Sequence, residues 1–222
     1  MASQDDALLA FLQEQGVPLV TKARHEYLSY YGLDQASVYV LAEGVVKASV
    51  ILRDGREFNI SYIKGPNPVS LLRDEVSTHA EAPFNVRVES EMASYLVVPR
   101  VTFWSWVNER PELLAYVKDY YRGSLEDAMR RLRYLTMNGK TGAVGAMLYE
   151  LAREFGEPCA EGVRIDLAVT NEDIAGCCGI SSRTSVNRIV RGLRERGVVA
   201  TNGHDPQIVV RDMDYLRRFV LD

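Results

Sequence analysis

Thr170-Asn171-Glu172-Asp173-Ile174-Ala175-Gly176-Cys177-Cys178-Gly179-Ile180 runs directly into Ser181-Ser182-Arg183-Thr184-Ser185-Val186-Asn187-Arg188-Ile189-Val190-Arg191-Gly192-Leu193. The stretch reads as helix, tight turn, helix. Ile174, Ala175 and Cys178 recur at helical spacing and form the inner side of a first helix. Gly179 stands where a sharp turn needs an unhindered backbone. Val186, Ile189, Val190 and Leu193, three and four residues apart, form the inner side of a second helix. Its other side shows Thr184, Ser185, Arg188 and Arg191. A helix-turn-helix offers its second helix to the major groove of DNA in this manner. Arg188 can pair bidentately with O6 and N7 of guanine. Thr184 and Ser185, in the first turn, suit a base or a phosphate. Arg183, beside the N-cap residue Ser182, and Arg191, a turn beyond Arg188, suit phosphates. Arg183, Arg188, Arg191, Arg194 and Arg196 are opposed only by Glu195, so this window is basic although the chain's net charge is −4. Two core helices joined by a glycine turn would share the apolar spacing. The basic side and the hairpin downstream favour DNA.

That hairpin is Val198-Val199-Ala200, a turn from Thr201 to Pro206, and Gln207-Ile208-Val209-Val210. A hairpin directly after a recognition helix is a wing. Met213 to Leu221 closes the chain as a short helix. Upstream, Thr141 to about Phe155 reads as a helix stopped by Gly156 and Pro158. Before the break at Asn138-Gly139, a long helix starts near Pro111, a favoured first-turn residue. It carries Leu114, Val117, Tyr121, Leu125, Ala128, Leu132 and Leu135 as an amphipathic stripe. That is more apolar surface than one helix on a small domain needs, and it predicts pairing with a twin. Between about residues 19 and 103 the period shortens. Val38 to Leu41, Val45 to Ile51, Phe58 to Ile63, Val86 to Val88 and Ala93 to Val98 read as strands. Glu43-Gly44, Asp54-Gly55 and Lys64-Gly65-Pro66 separate them, Asp54-Gly55 being a hairpin signal. A short helix, Asp6 to Gln15, precedes them. The expected class is α+β. The close-spaced strands of 1–108 imply a small sandwich or a β-roll, the latter resembling a cyclic-nucleotide-binding jelly roll, followed by a dimerisation helix over 109–138 and a winged helix-turn-helix over 139–222.

A chain of 222 residues suits one or two domains. It has no apolar run near the roughly 20 residues that span a bilayer. The acidic Met1 to Asp6 lacks the order of a signal peptide, so a cytoplasmic location is expected. Cys159, Cys177 and Cys178 make no disulfide framework and no Cys-x-x-Cys. Adjacent Cys177 and Cys178 form no relaxed disulfide and read as small core residues. A cupin-like metalloenzyme needs clustered ligands, and the roll offers only His25 and His79, with His204 far away. No metal and no enzymatic activity are expected. A ligand-binding module with a non-DNA-binding tail is the other alternative. Arg100, Trp104 and Trp106 lie between the roll and the long helix, where tryptophan is commonly a packing anchor. Tyr62, Lys64 and Gly65 end a strand at a corner where rolls often contact a ligand, although a plain strand end reads equally well.

With roll, long helix and winged domain in this order, over nearly its full length, the chain resembles the Crp/Fnr family of bacterial transcription regulators. Within it the likeness is to the PrfA-like branch. It is carried by Tyr62-Ile63-Lys64-Gly65, Asn138-Gly139-Lys140, Gly142, Phe155-Gly156, Glu161-Gly162-Val163-Arg164-Ile165, Ser185-Val186-Asn187-Arg188-Ile189 and Asp214-Tyr215-Leu216-Arg217-Arg218. The turn before the second helix is also one residue longer than in cAMP-binding members. The resemblance implies a homodimer on a palindromic promoter site that recruits RNA polymerase, usually as an activator. It puts Thr184, Ser185 and Arg188 at base-reading positions. It also bears on the effector. Lys64 to Glu75 lacks the Gly-Glu…Arg-Ser/Thr cassette of cyclic-nucleotide members, and the N-terminal cysteines of oxygen-sensing members are missing. Neither cAMP, haem nor an iron–sulfur cluster is expected. PrfA-like proteins can use glutathione in a pocket whose strand Tyr62 and Lys64 match. On the helix side, Gly123 and Asp127 stand where that branch has a lysine and a tyrosine.

Overall fold

In the computed structural model, which describes residues 4–74, 76, 81–201 and 207–221, the elements follow in this order. The chain opens with α1 (Gln4–Glu14), β1 (Leu19–Ala23), β2 (Tyr27–Ser29), β3 (Ser37–Glu43) and β4 (Val45–Ile51). It continues with β5 (Glu57–Lys64), β6 (Asn67–Pro68), β7 (Asn85–Val88), β8 (Met92–Pro99), α2 (Arg100–Glu109) and α3 (Pro111–Met137). It ends with α4 (Gly139–Glu154), β9 (Gly156–Cys159), β10 (Gly162–Ile165), α5 (Asn171–Cys177), α6 (Arg183–Glu195), β11 (Val199–Thr201), β12 (Ile208–Val210) and α7 (Met213–Leu221). Two units divide it. One is Met1–Ile51 with Asn59–Ser124, the other Leu52–Phe58 with Leu125–Asp222. Among the described residues no helix is long and apolar enough to cross a membrane.

The first unit is a roll of two four-stranded sheets, ordered β1-β8-β3-β6 and β2-β7-β4-β5 among the described residues. Alternation along β3 explains its two-sided burial. Val38 and Val40 face α1, α2 and the start of α3, packing with Leu8, Leu12, Leu96, Val98, Phe103 and Val117. Leu41, with Tyr39 beside it, packs with Val46, Val86 and Val88 of the second sheet. Each such fully buried aliphatic or aromatic side chain contributes about 1.5–3 kcal/mol. The Asp54-Gly55 signal is a turn as expected: Gly55 has φ +82°, and Leu52 N–H donates to the Arg56 carbonyl at 2.8 Å.

In the second unit α4 is enclosed, with Ala143 to Leu148 buried throughout. The end of α3 is tied to the last carbonyls of α7. Arg133 Nη2 donates to Val220 O at 2.6 Å and Asn138 Nδ2 to Phe219 O at 2.7 Å. Three expectations change here. Gly156 and Pro158 stop α4 but do not open a loop. They form β9, which pairs antiparallel with β10. The wing is therefore not a lone hairpin, since β11 and β12 continue into the sheet β11-β12-β10-β9. Its turn, 202–206, lies outside the described residues. Along α3, Val117 leaves the expected stripe for the core of the first unit, while Leu114, Tyr121, Leu125 and Leu132 are exposed.

Candidate nucleic-acid interface

α5 begins at a reciprocal cap. Thr170 Oγ1 accepts from Asp173 N–H at 3.1 Å, and Asp173 Oδ2 accepts from Thr170 N–H at 3.0 Å. Two N–H groups that a helix start leaves unpaired are thereby satisfied. Ile174, Ala175 and Cys177 fix the inner face of α5, and Cys178 at its C-cap is buried as well. Gly179 then turns the chain at φ +61°, a region that side-chain-bearing residues avoid. Ile180 N–H closes the turn on Ala175 O at 2.9 Å.

α6 follows with Ser182 at its N-cap, but the Ser182 hydroxyl makes no capping bond. Its carbonyl accepts from Ser185 N–H at 3.0 Å instead. Val186, Val190 and Leu193 are buried as expected, and Ile189 is only half-buried. At about 100° per residue, this burial turns Thr184, Arg188 and Arg191 outward. All three are exposed, as is Arg183, and Ser185 is half-buried. These five residues line one open groove of about 900 Å³.

The groove also takes in residues to which the sequence assigned no DNA contact. Asn171, Asn187, Arg194 and Thr201 line it too. Arg194 Nη1 donates to Thr201 Oγ1 at 3.3 Å, linking α6 to β11. Asn171 Nδ2 donates to Asn187 Oδ1 at 2.5 Å, linking the start of α5 to α6. Helical spacing could have placed Asn187 beside Arg188. Its meeting with a residue 16 positions earlier depends on how the two helices are set. The basic window is also not uniform. Arg191 lies 3.8 Å from Glu195, both well exposed, and such a surface pair is worth about 0–1 kcal/mol, little enough for a phosphate to displace. Arg196 is drawn away, donating to the Tyr215 hydroxyl at 2.8 Å. The arrangement is a concave, cationic surface with a projecting arginine at its middle, suited to a polyanion with readable edges.

Elsewhere, several of the sequence-marked residues are held by packing. Tyr62 is buried at 7% exposure, whereas Lys64, at the strand end, is exposed. A Cβ on Gly65 would stand 2.7 Å from the Ala42 carbonyl oxygen, so the backbone approach itself requires glycine there. Trp106 meets Phe11 edge-on at 5.6 Å, and Trp104 meets Phe103 edge-on at 6.4 Å. Burial pushes the Cys178 thiol up to about 12, and its sulfur lies 3.8 Å from Met147 Sδ. A thiol so hard to ionise is an inert core residue rather than a reactive one. Among the described residues no three His, Cys, Asp or Glu side chains are grouped to hold a metal ion. His79 and His204 lie outside those residues.

Comparison with known proteins agrees with this reading. Residues 143–219 match the model of the Crp-like helix-turn-helix domain. The lactate racemization regulatory protein of Lactiplantibacillus plantarum is 51% identical over 209 residues, 94% of each chain. The anaerobic regulatory protein of Bacillus subtilis is 25% identical, over 97% of this chain and 90% of that one. In fold, a CRP/FNR-family transcriptional regulator from Thermus thermophilus superposes with a TM-score of 0.75 at 18% identity, covering 92% of this chain and 99% of that one. The matching helix-turn-helix domain, its outward cationic groove in this chain and relatives that align over nearly the full length identify the chain as a DNA-binding transcription regulator of the Crp/Fnr family.

Proposed function

We propose that this regulator works in the cytoplasm as a homodimer on a palindromic promoter site. Residues 1–108 would serve as the sensing roll, 109–138 as the dimerisation helix and 139–222 as the DNA-binding part. One observation carries the dimer. α3 bears Leu114, Tyr121, Leu125, Met129 and Leu132 in one narrow row, and the last three are 60, 63 and 63% exposed. Steps of seven, four, four and three keep that row on a single side, the pattern that a second helix covers. A two-fold dimer offers two copies of α6 to half-sites about one DNA turn apart, ~34 Å.

On each half-site Arg188 reads a base edge, with Thr184 and Ser185 beside it, while Arg183 and Arg191 hold phosphates. Family membership supports recruitment of RNA polymerase and an activating role. The 51% likeness to the lactate racemization regulatory protein supports target genes for lactate racemization. Mass measurement in solution tests the dimer. A dimer is expected at micromolar concentration with and without DNA, and a monomer under both conditions overturns it. Transcription in vitro from a promoter bearing the selected site tests the sign of regulation. More transcript supports activation, and less makes the protein a repressor.

A further inference from the structure

Along α6, Arg188, Arg191 and Arg194 follow at steps of three. At about 100° per residue, each is turned about 60° further around the helix than the one before. Arg194 thus leaves the outward centre for one flank, about 9 Å along the axis from Arg188. On that flank stands the wing. Arg194 Nη1 donates to Thr201 Oγ1 of β11 at 3.3 Å, and both residues line the groove with Arg188. Arg194 is exposed and Thr201 half-buried. Among the described residues Arg194 has no carboxylate partner, unlike Arg191 beside it. A guanidinium has five N–H donors, and the wing takes one of them. A hydroxyl that accepts this bond keeps its own O–H to give. Helix end and wing strand therefore present adjacent donors, one of them charged, with no acceptor for them among the described residues.

We infer that Arg194 and Thr201 form a clamp for one DNA phosphate at the wing end of the groove, beyond the phosphates assigned to Arg183 and Arg191. The inference rests on the groove being the DNA interface. A phosphate oxygen accepts from several donors at once and supplies the negative charge that Arg194 lacks. Thr201 has a second task, since its bond fixes where the long Arg194 side chain ends. Accepting from a guanidinium also polarises the hydroxyl and makes its O–H a stronger donor. Such a contact sets the register of the protein on the duplex without reading a base.

Ethylation interference on a selected duplex, joined to salt titrations, tests this with the wild-type chain, Arg194→Ala, Thr201→Val and Thr201→Ser. In the wild type, ethylating one phosphate per half-site on the wing side should block binding. In Arg194→Ala that phosphate should no longer matter. Affinity should fall about tenfold on selected and random duplex alike, the low end for a hydrogen bond to a charged group. The salt slope should fall by about 1. Thr201→Val keeps the shape and loses the hydroxyl, so it should weaken binding less and leave the slope nearly intact. Thr201→Ser should match the wild type. Arg194→Ala made on top of Thr201→Val should cost less than it does alone, because the two side chains serve one phosphate. Both residues sit at the groove surface, and melting temperatures of the variants should match the wild type. An interference pattern in Arg194→Ala identical to that of the wild type overturns the inference, as does a changed base preference in that variant. Strictly additive losses in the double variant remove Thr201 from the clamp and overturn it too. A wild-type chain that binds no duplex would instead remove the DNA-interface reading itself.

Discussion

Arg188 and Arg191 sit three positions apart on one helix, and the proposed function gives them different work. Arg188 projects from the outward centre of α6 with no ion pair among the described residues, and it is exposed. Arg188→Ala should therefore cost about 1–3 kcal/mol of discrimination between selected and random duplex in gel-shift titrations at fixed salt. An undiminished preference would take it out of the readout. Arg191, loosely held by Glu195, should behave as a phosphate contact. Arg191→Ala should weaken selected and random duplex alike and lower the salt slope by about 1. The cysteines give a second contrast. Cys159 is exposed while Cys177 and Cys178 are buried, and burial raises the Cys178 pKa to about 12. Well below that pH, the folded chain should take up maleimide at Cys159 only, and all three thiols should react in denaturant. Rapid labelling of Cys178 in the folded chain near neutral pH would contradict the burial argument.

Elements were legible in the sequence to the degree that one physical pattern dominated each. β4 spans Val45–Ile51 and α7 Met213–Leu221, as their apolar periods indicate. β1 was not legible as a strand because Leu19 and Val20 are exposed at the edge of their sheet and give no alternation to read. β9 was hidden for a different reason. Gly156 and Pro158 are local stop signals, and only pairing with β10 makes them a strand. In the interface, the helix periodicity marked Arg183, Thr184, Ser185, Arg188 and Arg191, all of which line the groove. The Asn171–Asn187 bond belongs to the setting of one helix against another, and no local pattern encodes it. α3 shows the same division. Its period was plain, but which apolar residues go to the core was not, and Val117 is buried while Leu125 and Leu132 are exposed. Replacing both exposed leucines, Leu125→Glu with Leu132→Glu, should turn a dimer into a monomer without lowering helix content, by mass measurement and circular dichroism. A double variant that stays dimeric would move the interface away from this row.

At the scale of the molecule, a net charge of −4 is compatible with DNA binding because Arg183, Arg188, Arg191 and Arg194 are gathered on one groove. The fold supplies a reading head, α6, on a capped helix-turn-helix, and a long helix whose exposed row calls for a twin. Together they predict a two-fold complex in which each copy reads half of one site. Sequencing duplexes selected from a random library by the full-length chain, with the mass of the resulting complex determined, tests this most directly. The expected result is an inverted repeat with half-site centres about 10 base pairs apart, bound by two chains. A single unrepeated site bound by one chain would contradict it.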